Sequence, residues 1–440
     1  LENVLSMFQD KSGKLYIGTY GTGLYRTGQQ QFYNYNNTKE LNTPYIFSIL
    51  TTGEGLYAGI LNSGIYYFEG DNYLKYALKR KYDNKTGATT LFQTSSKQVL
   101  AGTKNGLFIV GKDQLLPTPV NHSIPKATVF RDISEINGKN YLAGTSNGLM
   151  LLDKEFRLLK TFTKNTKQES FNNVTTIEQY DSRNWYIGTN TGVYPVQKTK
   201  PNEYTVAGKI IDHPINASCK DHYGNLWFSS YNGLFCLVKG KTIRYTPKNG
   251  LTSSLIFTLS ADKKGHIYAG SNLGIDKIKI DAAGKILDIK NFNSTDGFYG
   301  LETNTRAETT DEDGNIYFGT ANGLYKYLNN YRTKPKQDIN LQITNVDVFN
   351  ERRNWSDSED SIDFWFNRPK QNHTFKADEN QLTFEFNTIN SEGLAENLYS
   401  YYLEGTDNNW SLGTRENSIS YSNLSHGNYT FHVKLVDING

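Results

Sequence analysis

One pattern returns eight times along the 440 residues and limits what the chain can fold into. An aromatic or apolar pair is followed by Gly-Thr or a close relative, two or three turn residues, a Gly and another apolar pair. It first reads Tyr16-Ile17-Gly18-Thr19 with Gly23-Leu24-Tyr25 and last reads Phe318-Gly319-Thr320 with Gly323-Leu324-Tyr325. The leading Gly of each copy, replaced by Ser229 in the sixth, is spaced by 41, 43, 42, 44, 41, 41 and 49 residues. So constant a period marks an array of like structural units, each too small to bury its own apolar face.

The turns tell what the unit is. Asn-Gly pairs at Asn105-Gly106, Asn147-Gly148, Asn232-Gly233 and Asn322-Gly323 are strong hairpin signals. An upstream mark, Asp-x-x-Gly-x-Leu/Ile-aromatic, appears as Asp10 with Gly13, Asp221 with Gly224, Asp262 with Gly265 and Asp311 with Gly314. Its Asp and Gly supply the side-chain bond and the left-handed residue of a turn. Four short antiparallel strands in about 40 residues make one blade of a β-propeller. The acidic run Asp311-Glu312-Asp313-Gly314 lacks the longer ligand series and flanking helices of a calcium loop, and reads as such a turn.

The eighth copy has three strands and no evident fourth. The segment Gln31-Phe32-Tyr33-Asn34-Tyr35 precedes the second copy and can complete it, which predicts seven blades over residues 30–335. Residues 1–29 are then part of a blade from a preceding propeller. An eight-bladed ring with an incomplete last blade is the alternative. After Pro335 the period vanishes. Leu382-Thr383-Phe384-Glu385-Phe386 and Tyr429 to Leu435 alternate at period two, as half-buried strands do. Residues 336–440 therefore read as an immunoglobulin-like β-sandwich cut short at its C-terminal end. The fold class is all-β.

Composition removes several classes of function. The formal charge is +3 and Lys and Arg form no run, which argues against nucleic acid as a partner. The start, Leu1 to Asp10, resembles the middle of a repeat rather than a signal peptide, so the chain reads as a piece of a longer protein. Cys219 and Cys236 fall on the first and third strands of one blade, too far apart for a disulfide, and are expected as free thiols. There is no His-Glu-x-x-His, Cys-x-x-Cys, Gly-x-Ser-x-Gly or phosphate-binding loop, and no cofactor, metal or catalytic residue is expected.

The tail holds Tyr399-Ser400-Tyr401-Tyr402-Leu403-Glu404-Gly405, Trp410, Ile419-Ser420-Tyr421-Ser422-Asn423-Leu424 and His426-Gly427-Asn428-Tyr429-Thr430-Phe431. It resembles the triple-tyrosine (Y_Y_Y) domain, and the repeats resemble the two-component-regulator propeller. The pair in this order resembles the sensor region of Bacteroidetes hybrid two-component systems. That resemblance implies a periplasmic, non-catalytic region that binds an oligosaccharide from polysaccharide breakdown. It implies a signal relayed through the sandwich, self-association through the sandwich or the membrane-proximal region, and a histidine kinase in a membrane-anchored parent. Two alternatives stand beside it: a propeller enzyme similar to streptogramin lyases, and a structural or adhesive propeller.

Ligands of propellers sit where the innermost strands begin and the second-to-third strand turns project. Those positions carry Tyr45, Arg131, Asn173, Asn216, Tyr231, Asn304 and Arg306, the expected ligand-binding residues. Planar amides and guanidinium groups match sugar hydroxyls, and Tyr offers a face to C–H groups. Arg131 and Arg306 would also suit an acidic sugar.

Overall fold

The computed structural model describes residues 3–9, 15–26, 31–35, 45–69, 77–82, 87–136, 138–163, 171–329, 340–355, 361–363, 366–369, 372–389 and 398–436. Among them are seven four-stranded antiparallel sheets, each running outward from its first strand. These are blades 1 to 7: residues 46–82, 90–117, 130–162, 174–206, 215–245, 256–292 and 303–327, the last completed by 32–34. The first strand of each blade packs against the first strand of the next, and that of blade 7 returns to blade 1, so the ring holds seven blades. No helix among the described residues is long and apolar enough to cross a membrane.

The repeated Gly sits where blades come closest. A Cβ added at Gly102 would lie 2.7 Å from Phe130 Cβ on the next blade, and one at Gly188 would lie 2.7 Å from Ile215 Cγ2. Gly59, Gly144, Gly270 and Gly319 meet the next blade in the same way. Blade 5 departs from this: buried Ser229 fills the position and its hydroxyl accepts the Ala217 N–H at 3.0 Å. Each blade is then sealed by aliphatic and aromatic side chains between sheets, with Trp185, Trp227, Tyr268 and Tyr317 fully buried.

The Asp-x-x-Gly mark forms the turn between the first two strands. Asp221 accepts the Asn225 N–H at 2.9 Å and the Trp227 indole N–H at 2.8 Å, tying the turn to the core. Asp311 accepts from Asn315 at 2.8 Å and pairs with buried Lys326 at 3.3 Å, so the acidic run serves its own turn. The turn mark at Asp10 lies outside the described residues.

The ring closes by pairing its two ends. Phe32–Asn34 is the outer strand of blade 7, with Tyr325 opposite Asn34 and Tyr327 opposite Phe32. Phe32 is buried among Phe292, Phe298 and Tyr327, with ring centroids 5.2 to 5.4 Å away. Cys219 and Cys236 are free, with a strand between them. Val4–Gln9, Leu15–Thr19 and Gly23–Arg26 form a separate three-stranded sheet.

The chain divides into two compact units, one over most of 1–331 and one over 332–440 with 9–13. The expected boundary at 335/336 lies outside the described residues. The second unit has a five-stranded sheet, in which Asn340–Val348 and Leu382–Ile389 are central, and a two-stranded sheet of Leu398–Glu404 and Thr430–Val436. Phe384 and Phe386 of the larger sheet meet Phe431 of the smaller at 4.2 and 5.9 Å, which makes a sandwich core. The Trp355 indole is buried and donates to the Val346 carbonyl at 2.8 Å.

Because Phe32 carries the closure, Phe32→Ala should destabilise the ring by roughly 3–5 kcal/mol, the usual loss for a buried Phe. Thermal unfolding measures it; an unchanged melting temperature would show that the ring does not depend on this strand.

Candidate ligand-binding face

Every blade begins with a strand that lines the ring centre, and in five blades that strand carries a bulge at the same place. Register skips one residue between Ile46 and Ser48, Phe130 and Asp132, Val174 and Thr176, Ile215 and Ala217, and Ile256 and Thr258. The extra residue leaves the ladder and bends the strand. The extra residues are Phe47, Arg131, Thr175, Asn216 and Phe257. In blade 7 the excursion is longer: Thr303 pairs with Thr320, then Glu308 pairs with Phe318.

Polar side chains at and beside these bulges, and at the inner-strand starts of blades 2 and 7, link one blade to the next. Thr175 donates to the Ile215 carbonyl and Asn216 to that of Ile256, both at 2.8 Å. Asn304 donates to the Ile46 carbonyl at 2.7 Å, across the closure. Thr89 donates to the Phe130 carbonyl, Arg131 Nε to Asn173 Oδ1 at 2.9 Å, and Ser48 to the Ala88 carbonyl at 2.9 Å. Blades 6 and 7 are joined by Thr258 donating to Glu308. The amides of Asn216 and Asn304 are thus engaged with backbone between blades.

Tyr45 and Tyr231 stand on the rim, about half exposed at 48% and 49%. The turn between second and third strands bonds back to the residue before the inner strand: Leu61 N–H to Tyr45 at 3.0 Å, Asn190 N–H to Asn173 at 3.3 Å, Ala321 N–H to Glu302 at 2.9 Å. Turns and strand starts therefore share one face. Tyr231 meets Phe257 of the next blade edge-on at 6.1 Å. Leu255, Leu273, Tyr299 and Leu301 are also exposed at strand starts and turns on this face. With Tyr45 and Tyr231 they form an apolar arc from blade 5 round to blade 1. Sequence reasoning had not singled out those four; a large apolar residue in a turn otherwise built of Asn, Ser and Gly was the available signal.

Below the rim, Arg306 crosses the ring. It has φ +59°, a left-handed backbone rare for a side chain of this size. Its Nη1 donates to the carbonyls of Arg131 and Thr175, on blades 3 and 4. Three carboxyl groups line the channel near it. Asp132 accepts the N–H of Ile133 at 2.8 Å and of Ile177 at 2.6 Å. Glu178 accepts from Ser218 at 3.1 Å, and Glu308 from Thr258. Burial raises Asp132 above the usual carboxylate range, against the pull of Arg306. Burial, then Asp132, pushes Glu178 up to about 7; burial does the same to Glu308. Burial brings Arg306 down to about 10 and also lowers Arg131. The structure therefore places Arg131, Asn173 and Arg306 together at the channel mouth, Asn216 and Asn304 between blades, and the two Tyr on the rim.

Both Glu side chains ionise less readily when folded than at their ordinary value of 4.5. The folded state then holds more protons than the unfolded chain between that value and about 7, and stability falls as pH rises through the window. Glu178→Gln and Glu308→Gln should each flatten the fall in melting temperature between about pH 5 and about pH 8. Slopes equal to that of the parent chain in both variants would contradict the assignment.

Comparison with known proteins covers both units. Residues 390–440 match the Y_Y_Y domain family. The extracellular domain described as that of hybrid two-component system BT3049 from B. thetaiotaomicron aligns over 100% of this chain and 60% of its own, with TM-score 0.72 and 22% identity. That of BT4673 from the same organism aligns over 100% and 62%, with TM-score 0.56 and 18% identity. Virginiamycin B lyase from Staphylococcus aureus aligns over 67% of this chain and 97% of its own, with TM-score 0.51 and 12% identity. The chain spans about three fifths of the two sensor domains. No curated protein matches it at a significant level. The chain thus ends in a Y_Y_Y domain and shares its fold, over its whole length, with the extracellular domains of B. thetaiotaomicron hybrid two-component systems.

Proposed function

We propose that the chain is the ligand-sensing, extracytoplasmic part of a two-component sensor, and that it binds an oligosaccharide on the mouth face of its propeller. The observation that carries the site is the rim itself: Tyr45, Tyr231 and Tyr299 exposed around a channel mouth that holds Asn173 and two Arg. Flat apolar rings among a few fixed donors are the usual design for polyhydroxylated ligands. The shared fold with extracellular domains of hybrid two-component systems and the Y_Y_Y match support the sensing role and the periplasmic placement. In this reading the sandwich relays the signal and self-associates in a membrane-anchored parent that carries a histidine kinase.

The likeness to the lyase, at 12% identity, is one of fold alone. None of the seven His lies on a strand lining the channel, where the sequences read IFSILTT, TLFQ, FRDISEI, VTTIEQ, INASCK, IFTLSA and TNTRAETT. The channel instead holds carboxyl groups engaged with their own N–H and O–H donors.

Calorimetric titration with a panel of oligosaccharides tests the reading. Tyr231→Ala and Tyr299→Ala should each weaken binding by about tenfold, the scale of a well-used ring contact. His222→Ala, on a turn of blade 5 remote from the mouth, should leave affinity unchanged, and chromatography should show no new product. Unaltered affinity in both Tyr variants would remove the mouth face as the site.

A further inference from the structure

Two guanidinium groups share the channel mouth over blades 3 and 4. Arg306 reaches there from blade 7 to the Arg131 and Thr175 carbonyls; burial disfavours its charge, Asp132 and Glu308 favour it, and Arg131 opposes it. Among the described residues neither forms an ion pair with a carboxylate. Asp132, Glu178 and Glu308 are turned to donors of their own.

The bland account makes both side chains latches between blades. The latch position does not need Arg: Thr175 and Asn216 link their blades from the equivalent bulge with one short polar group each. Arg131 spends only Nε, on Asn173, and its two terminal nitrogens make no hydrogen bond among the described residues. Arg306 Nε is buried without a partner. Holding a buried Arg306 Nε without a partner, beside an Arg131 whose terminal nitrogens are unused, costs free energy that packing alone does not return. The left-handed backbone of Arg306 adds strain of the kind found at ligand clamps. An oxyanion at the two forks would take up the unused donors, since a guanidinium matches a planar or tetrahedral oxyanion through paired N–H groups.

We infer that Arg131 and Arg306 together form an anion-recognition point at the mouth and select a ligand bearing a carboxylate or a sulfate ester. This rests on the mouth face being the ligand site, and makes the preferred oligosaccharide an acidic one. The apolar arc from Tyr231 to Tyr45 lies on the blade 5 to blade 1 side of the face, and the guanidinium pair on the blade 3 to 4 side. A ligand with its charge at one end and sugar faces at the other fits that division.

Calorimetric titration of the 440-residue chain with D-glucuronate, glucose 6-sulfate and glucose separates the sources of the charge. At least one charged sugar should bind about tenfold or more tighter than glucose, the scale of charge-assisted hydrogen bonds. The better of the two identifies carboxylate or sulfate. Arg131→Gln and Arg306→Gln should each remove the advantage, lowering affinity for the charged sugar by about tenfold more than that for glucose. Arg131→Gln is the safer variant, because it alters one bond between blades, and circular dichroism checks its fold. Charged sugars that bind no tighter than glucose, or an advantage that survives Arg131→Gln, would overturn the inference and leave the mouth-face reading standing. No heat with any of the three sugars would also overturn the inference, while the mouth-face reading stands or falls with the oligosaccharide panel and the Tyr variants.

Discussion

The seam between neighbouring inner strands governs the rest of the propeller. At six of the seven seams a Gly of the second strand lets the next blade approach until its first strand fills the space a side chain would need, and Ser229 stands in its place on blade 5. A polar side chain at or beside the bulge then crosses to the next blade, most often onto a backbone carbonyl. Close approach and directed hydrogen bonds fix the angle between sheets, and seven such angles close the circle. The two ends of the propeller meet at the last seam, where Phe32–Asn34 pairs with Gly323–Tyr327 to complete blade 7.

That geometry also makes the chemistry of the centre. Inner strands converge on a narrow channel, where water is scarce and charges keep little hydration. Polar groups there must be satisfied locally or shift their protonation. Asp132, Glu178 and Glu308 do both, with their own donors and raised affinity for protons. Arg306 closes the channel from above by bonding two carbonyls on the opposite side.

Much of the fold could be read from residues alone because it is written locally and repeatedly. A Gly at period 42 or so, Asn-Gly hairpins and Asp-x-x-Gly turns need no long-range information to be recognised, and the missing fourth strand of the last repeat pointed to Phe32. The site was only partly legible. Tyr45 and Tyr231 do stand exposed on one rim, yet Asn216 and Asn304 at the same positions in the pattern are turned to the carbonyls of Ile256 and Ile46. Whether an Asn at a bulge faces solvent or a neighbouring blade depends on where that blade's carbonyl lies.

By itself the sequence determined the class of fold, the blade unit and the character of the tail, since each follows from local periodicity and turn chemistry; it pointed to the closing strand, and the pairing of Phe32–Asn34 with blade 7 decided it. Only the tertiary structure decided which side chains meet across the ring. Arg131 and Arg306 stand 175 residues apart; the repeat pattern put both on one face, and only the closed ring shows the Arg306 side chain crossing to the carbonyls of Arg131 and Thr175. Their meeting follows from seven blades bending the chain into a circle, from a longer excursion in blade 7, and from a channel narrow enough for one guanidinium to cross it.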